Sequence, residues 1–493
     1  MNLCLVGHEF RYELEKLIRI FLPFEKIQFF DFQNITDSCA VTELEMTDDG
    51  EYAKAILHFA NKVYEKNLKI EINCENIEKE RELKLALCLY SCFTEATNYF
   101  PQWGILTGVR PAKLFSHLSN GEGIEKTEAY FKDILKVSQK KIDLCKESVC
   151  GEEKIVALSR PDSFSLYISV PFCPTRCSYC SFVSHSVEHA KKLIPEYVNY
   201  LCKELEITGK IARTLNLRLE TIYIGGGTPT TLSAEQLTLV MNKVKECFNT
   251  EYLREYTVEA GRPDTITAEK LMAIKQGGVT RISINPQTMN NKVLEIIGRK
   301  HTAEQTEEAF LLARETGFTN INMDLIAGLP GDTNESFEDT VNKVLSLNPE
   351  SVTVHSLSMK RASSLTANGD LPEIEIGRVA DKMVDFAHNT LSQSGIVPYY
   401  MYRQSKTVGN LENVGYSRKG YECLYNVYIM DETHTILACG ASAVTKMKEP
   451  NGSYIERIFN FKYPYEYIQR FDELMERKKA ILSFYKNYKI KGE

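Results

Sequence analysis

From about residue 163 onward the apolar positions follow two alternating rhythms. Short β-branched and aromatic runs at Leu166–Val170, Thr221–Ile224, Tyr256–Glu259, Arg281–Asn285, Asn320–Ile326 and Ser351–Val354 read as strands. Between them, helical spacing recurs near 190–216, 233–248, 267–276, 302–316 and 334–346. Strands alternating with helices predict a parallel sheet with right-handed crossovers. The polar and glycine-rich segments fall just after the strands, where α/β barrels and open α/β sheets carry their active sites. The expected architecture is therefore α/β, a partial, TIM-like (β/α)6 barrel.

The flanks have a different texture. Residues 1–150 mix strand-like runs at Ile27–Phe30 and Leu68–Ile72 with helical stretches around 9–21, 50–65 and 80–98. They read as an N-terminal α+β domain. The stretch Glu152–Asp162, with Arg160-Pro161-Asp162, reads as a linker. The barrel is expected over 163–390. Beyond it the rhythm is lost: Val397–Arg403, Leu424–Met430 and Thr435–Ala438 look like strands of a smaller α+β unit spanning 391–493, with a helical tail around 463–485.

Composition narrows the classes. With 493 residues, 43% hydrophobic and 25% charged, the chain has an ordinary globular make-up of roughly three domains, so disorder and collagen-like structure are excluded. A net charge of −7 argues against a protein that coats nucleic acid. No apolar run approaches the roughly 18 residues of a membrane-spanning helix, and the start shows no secretory pattern. A reducing cytoplasm is the expected setting for the fourteen cysteines.

Most of those cysteines are scattered and read as small buried hydrophobes. Cys88 and Cys92 share one face of an amphipathic helix, which favours core packing. Cys173, Cys177 and Cys180 differ, because they stand as C-x3-C-x2-C at the end of the first barrel strand. Three thiolates in eight residues can hold a soft metal. One option is a Cys3His zinc site using His185 or His189; the other is an iron–sulfur cluster with one iron left open. A second feature, Gly225-Gly226-Gly227-Thr228-Pro229-Thr230, follows the second strand and lets the backbone approach a ligand with unpaired N–H and C=O groups. It is neither a P-loop nor a dinucleotide fingerprint.

Together the two motifs resemble the radical S-adenosylmethionine (radical SAM) enzymes. Tyr167 to Cys173, Val258-Glu259-Ala260, Asp324 to Gly331, Gly420 to Cys423 and Cys439 to Ala443 resemble the oxygen-independent coproporphyrinogen III oxidase-like branch, over about 160–450. Gly104 to Pro111, Tyr399 to Gln404 and Glu412 to Tyr416 look most like its HemZ-type members. The resemblance implies a 4Fe–4S cluster on Cys173, Cys177 and Cys180, with S-adenosylmethionine chelating the open iron and cleaved by one electron to a 5′-deoxyadenosyl radical. It implies further that Tyr167 and Tyr179 touch that nucleotide, the latter beside the adenine. Gly226, Gly227 and Thr228 would receive its amino acid end. Glu259, Gln287, Arg299 and Asp324 match further contacts, with Ser358 and Val444 as weaker matches.

The residue types suit those roles: carboxylates meet an ammonium, a sulfonium or ribose hydroxyls, and arginine meets a carboxylate. His301 and His355 lie near loop and strand ends, where a hydrogen-bonded structural role is the commoner one. Arg110 and Lys113 suit either substrate propionates or an inter-domain salt bridge. Ser169 stands where related sequences usually carry histidine, and Phe182 where the oxidases carry another cysteine; Phe182 follows the haem-chaperone relatives. The implied activity is oxidative decarboxylation of coproporphyrinogen III to protoporphyrinogen IX in porphyrin and haem biosynthesis. The partners would be the tetrapyrrole and a small redox protein as electron donor, with the C-terminal unit covering the open end of the barrel. A haem chaperone is the alternative, and a radical enzyme acting on RNA is disfavoured by the acidic balance.

Overall fold

The computed structural model describes residues 1–23, 25–30, 38–180, 185–186 (backbone only), 190–358, 373–404 and 406–489. Strands β1 (Asn2–Val6), β2 (Gln28–Phe29), β3 (Cys39–Thr47), β4 (Gly50–Phe59) and β5 (Lys62–Lys69) form one sheet in the order β2-β1-β3-β4-β5. Helices Arg11–Phe21 and Ile77–Thr97 bury Leu14, Ile18, Phe21, Leu85, Leu89 and Phe93 between themselves and this sheet. Cys88 and Cys92 point into that core, as their spacing implied, and burial pushes both thiols up to about 12. The stretch expected as a helix over 50–65 is instead the β4–β5 hairpin. Its buried positions, Ala53, Ala55 and Leu57, alternate with period two, and Ala60 and Asn61 turn the chain with φ of 51° and 60°. Alanine, lysine and glutamate favour a helix locally, but pairing with β3 overrides that preference.

The second sheet holds eleven strands. Its centre is six parallel strands, β6 (Ser163–Val170), β9 (Arg218–Gly226), β10 (Glu255–Gly261), β11 (Arg281–Ile284), β12 (Ile321–Ala327) and β13 (Ser351–Ser356), in sequence order. The short pair β7 (Phe172–Cys173) and β8 (His185–Ser186) stands apart. Helices Ile194–Thr214, Ala234–Cys247, Ala268–Gln276, Ala303–Glu315 and Asn334–Ser346 cover the outside, so the expected partial barrel is the observed one. Apolar residues on each strand (Ile222 and Ile224, Tyr256 and Val258, Ile282 and Ile284, Val352 and Val354) join the core with these helices. The alternate positions are polar. They include Glu259, Ser283, Asn322, Asp324 and Thr353, so the interior of this barrel is a polar chamber and not the usual stack of branched aliphatic side chains.

Residues beyond 390 extend the same sheet at both ends. Strand β15 (Glu412–Ser417) pairs antiparallel with β13 and β14 (Val397–Arg403) antiparallel with β15, while β16 (Thr435–Cys439) pairs parallel with β6 and carries β17 (Val444–Lys448) and β18 (Ile455–Phe459). The expected strand at Leu424–Met430 is a helix, Leu424–Asp431. The reason is tertiary: the Glu255 carboxylate accepts from the Leu424 and Tyr425 amides at 2.8 and 3.3 Å and caps its first turn. Since Glu255 opens β10, this helix lies toward the N-terminal ends of the strands, not over the open end that the sequence had suggested. The expected linker over 152–162 is also corrected, because helix Gln139–Val156 continues through its first half. There Glu152 is half-buried, accepts from the Met401 amide at 3.3 Å, and is pushed up to about 8 by desolvation.

The N-terminal segment backs the β14–β15 edge. Glu412 receives Trp103 Nε1 and Lys141 Nζ, both at 2.7 Å, and Arg403 donates to the Leu106 carbonyl at 2.7 Å. The Gly104 to Pro111 motif therefore serves to hold an edge strand. Helices Pro464–Gln469, Phe471–Lys478 and Ala480–Lys489 form the expected tail, anchored by the buried Lys478–Glu204 pair at 2.7 Å.

Candidate active site

A cavity of about 560 Å³ opens among the C-terminal ends of the parallel strands and runs down between them. Cys173, Cys177 and Cys180, each half-buried on the loop that leaves β6, share one wall of it. The glycine turn at the end of β9 lies against that loop. The Gly227 and Thr228 amides donate to the Val170 and Phe172 carbonyls at 2.8 and 2.7 Å, and the Thr228 hydroxyl reaches Cys173 Sγ at 3.5 Å. A Cβ on residue 227 would sit 2.6 Å from the Phe172 carbonyl oxygen, so only glycine allows this approach. Sequence had suggested free amides here. In the fold they are spent on β6 and its loop, so a ligand in this turn meets carbonyl oxygens and the Thr228 hydroxyl, which suit an ammonium.

Opposite the thiols stand two carboxylates with divergent environments. Glu259 accepts from the Tyr223 hydroxyl at 2.6 Å, and burial pushes its carboxyl up to about 7 despite that hydrogen bond. Burial also works against ionisation of Asp324. However, His355, 3.9 Å away, and Asn322, donating at 2.6 Å, outweigh it and hold that carboxyl below its ordinary range. Gln287 reaches the wall from a left-handed backbone (φ 70°), its amide and carbonyl bonded to Asp324 O and Ile326 N. Arg299 clamps the Tyr179 hydroxyl with Nε and Nη2 at 3.2 and 3.0 Å and donates to the Asn285 carbonyl.

The fold thus brings Tyr179, Gly226, Gly227, Thr228, Glu259, Gln287, Arg299, Asp324 and Ser358 into the lining of the cavity that holds the three cysteines. Tyr167 is not in it. Its ring stacks behind, 6.3 and 6.1 Å from Tyr223 and Tyr425, and Tyr223 lines the cavity in its place. Val444 lies on β17, away from the cavity. His355 faces Asp324, whereas His301 is buried off the cavity and held neutral, its pKa lowered to about 3 by desolvation. Arg110 and Lys113 pair with Glu432 and the Asp431 carbonyl, the salt-bridge alternative. Phe182, His189 and the His185 side chain lie outside the described residues. Sequence reasoning missed Arg262, which is fixed by Asp264 through two 2.8 Å bonds and faces Cys177 Sγ at 3.9 Å. Its signal was faint, a lone arginine after the third strand.

A family model described as the radical SAM superfamily matches residues 167–344. The chain is 40% identical over 386 residues to the oxygen-independent coproporphyrinogen-III oxidase-like protein HemZ of Bacillus subtilis, spanning 78% of this chain and 77% of that one. The chain belongs to this radical SAM family. It is also 43% identical over 194 residues to the heme chaperone HemW of Bacillus subtilis, 39% of this chain and 50% of that protein. Among solved structures it is similar to the coproporphyrinogen III oxidase HemN of Escherichia coli, at 24% identity and a TM-score of 0.48 over 67% of this chain and 73% of that one.

The cofactors of a radical SAM protein are a 4Fe–4S cluster and S-adenosylmethionine, and the donor set fits them. Three thiols, the soft donors of an iron–sulfur cluster, line one cavity with the Thr228 hydroxyl and the Glu259 and Asp324 carboxylates, which suit the ammonium and hydroxyl groups of the nucleotide. Among the described residues no helix is long and apolar enough to cross a membrane.

Proposed function

We propose that this chain is a cytoplasmic enzyme that converts coproporphyrinogen III to protoporphyrinogen IX without oxygen. The observation that carries the reading is the single polar cavity holding the three thiols, the glycine turn and the Glu259–Asp324 pair, with room continuing down between the strands. The 40% identity to a coproporphyrinogen-III oxidase-like protein supports it.

Cys173, Cys177 and Cys180 hold the cluster. Carbonyl oxygens of the Gly226–Gly227 turn and the Thr228 hydroxyl seat the ammonium of S-adenosylmethionine, Tyr179 lies by the adenine, and Glu259 and Asp324 meet its cationic and hydroxyl groups. Arg299 and Gln287 complete the seat. The bound cofactors supply hydrogen-atom abstraction from carbon. On each of two propionates, loss of one hydrogen atom to the bound cofactors, followed by loss of carbon dioxide and transfer of one electron to a one-electron acceptor, would leave a vinyl group. The protein's part is to orient the propionate and exclude water, and a small redox protein serves as electron donor.

The test is anaerobic reconstitution with iron and sulfide, then reductant, S-adenosylmethionine and coproporphyrinogen III. The expected products are 5′-deoxyadenosine and protoporphyrinogen IX together. Deoxyadenosine without any vinyl product, with a competent donor present, refutes the decarboxylase. The second reading, a haem chaperone, is favoured by the 43% identity to HemW. It requires about one haem retained per chain and no vinyl product.

A further inference from the structure

The barrel interior below the Glu259–Asp324 level is polar, and its floor carries a cation that no carboxylate among the described residues contacts. Arg281 opens β11 and is 1% exposed, yet its side chain lines the cavity. Its Nη2 donates to Ser351 Oγ at 2.9 Å, and its Nε has no hydrogen-bond partner among the described residues. No carboxylate among the described residues lies within ion-pair distance of it. Glu255, on the neighbouring strand, is turned to the Leu424 and Tyr425 amides and the Cys423 thiol, so it and Asp324 attract the guanidinium only from a distance. A buried guanidinium with an open Nε and no carboxylate in contact still has room for an anion that would pair with it directly.

The cavity supplies the route. Ser283 pairs with Asn322 in register, which sets Arg281 two inward-facing levels below Asp324, roughly 13 Å along the strands. The levels between are neutral donors and acceptors: Asn322 Nδ2 bonds Ser283 Oγ at 2.9 Å, and Thr353 Oγ1 bonds Asn322 Oδ1 at 3.1 Å. Thr353 and Asn322 both line the cavity. The upper carboxylates, which would repel an incoming anion, are engaged: Asp324 by Asn322 and His355, Glu259 by Tyr223. On the β15 side Asn413, 1% exposed, accepts from the Ser356 amide at its Oδ1 and leaves its Nδ2 unpartnered among the described residues on the cavity wall.

We propose that Arg281 is the floor of a carboxylate subsite inside the barrel, which takes an acidic arm of the substrate. It orients the arm from below while the cofactor seat lies above. The choice of arm rests on the tetrapyrrole reading above; the anion subsite itself does not. Arginine suits the role because its planar fork matches a carboxylate and its charge is permanent.

The test uses the full reconstituted chain and an Arg281→Met variant with two probes. Propionate alone reports the anion subsite through thermal shift. Coproporphyrin III, against its tetramethyl ester, reports the acidic arm through fluorescence titration. The expected result is a propionate-dependent rise in melting temperature in the wild type only. In the variant, coproporphyrin III binds at least tenfold more weakly, while the tetramethyl ester and S-adenosylmethionine are unchanged. Without ligand, the variant should melt no lower than the wild type, because a buried charge with no carboxylate in contact has been removed. A variant that melts lower or fails to fold assigns Arg281 to the core and overturns the proposal. So does unchanged coproporphyrin III affinity, or loss of S-adenosylmethionine binding instead. An Arg281-dependent propionate response in a wild type that ignores coproporphyrin III keeps the subsite and refutes the tetrapyrrole reading.

Discussion

Glu259→Gln separates two opposing effects of one buried carboxyl. Its folded pKa is raised from 4.5 to about 7, mainly by desolvation, so the folded chain binds this proton more tightly than the unfolded chain does. The stability it contributes is therefore present at low pH and lost as pH rises from the unfolded value through about 7. Removing the ionisable oxygen should restore up to about 3 kcal/mol of unfolding free energy at pH 8, measured by urea denaturation. Binding runs the other way. A sulfonium and ammonium favour the ionised carboxylate, so affinity for S-adenosylmethionine should fall as pH drops below 7. For a group titrating near 7, the loss between about pH 7.5 and about pH 6 is roughly eightfold. Asp324 is held below its ordinary range and stays ionised across this window, so it adds no slope. Equilibrium dialysis of anaerobic protein reads the effect. Glu259→Gln should bind weakly with no pH dependence, while the Tyr223 hydroxyl keeps an oxygen to donate to. A flat wild-type profile, or an unchanged slope in the variant, would refute the assignment of Glu259 to the cationic ligand.

Other substitutions probe the rest of the construction. Cys177→Ala should abolish the brown absorbance of reconstituted protein yet leave the melting temperature unchanged, since the thiol is half-buried on a loop. Gly227→Ala places a methyl 2.6 Å from the Phe172 carbonyl oxygen and 2.8 Å from that of Val170. It should part the glycine turn from the cysteine loop and weaken S-adenosylmethionine binding by roughly tenfold or more in dialysis. Lys141→Ala strips a 3% exposed partner from Glu412, itself 2% exposed, and should cost about 3–5 kcal/mol in urea denaturation. Arg110→Ala, which removes a partly exposed pair with Glu432, should cost no more than about 1 kcal/mol and leave coproporphyrin III affinity unchanged.

The parallel strands were legible because a strand covered by helices needs apolar residues at alternate positions, and that pattern survives in one dimension. The same rhythm misled at 50–65, where local helix preference and period-two burial compete. Only pairing with β3 decides for the strand. At Leu424–Asp431 the deciding group is Glu255, nearly 170 residues earlier, whose carboxylate caps the helix and leaves no local trace. The linker reading failed for a similar reason: Glu152 looks like a solvated charge until the Met401 amide, 249 residues later, bonds to it.

For the site, the sequence by itself determined the chemistry. Three thiols at fixed short spacing and a glycine turn are local features, and local features specify a soft metal and a close backbone approach wherever the chain goes. The tertiary structure decided everything that depends on distance between strands. It exchanged Tyr167 for Tyr223 on the wall and turned His355 onto Asp324. It spent the Gly227 and Thr228 amides on β6 and its loop, and left Arg281 at the floor with no carboxylate in contact among the described residues. Desolvation and charge pairing are properties of assembled neighbours, so no residue carries them until the barrel has closed around it.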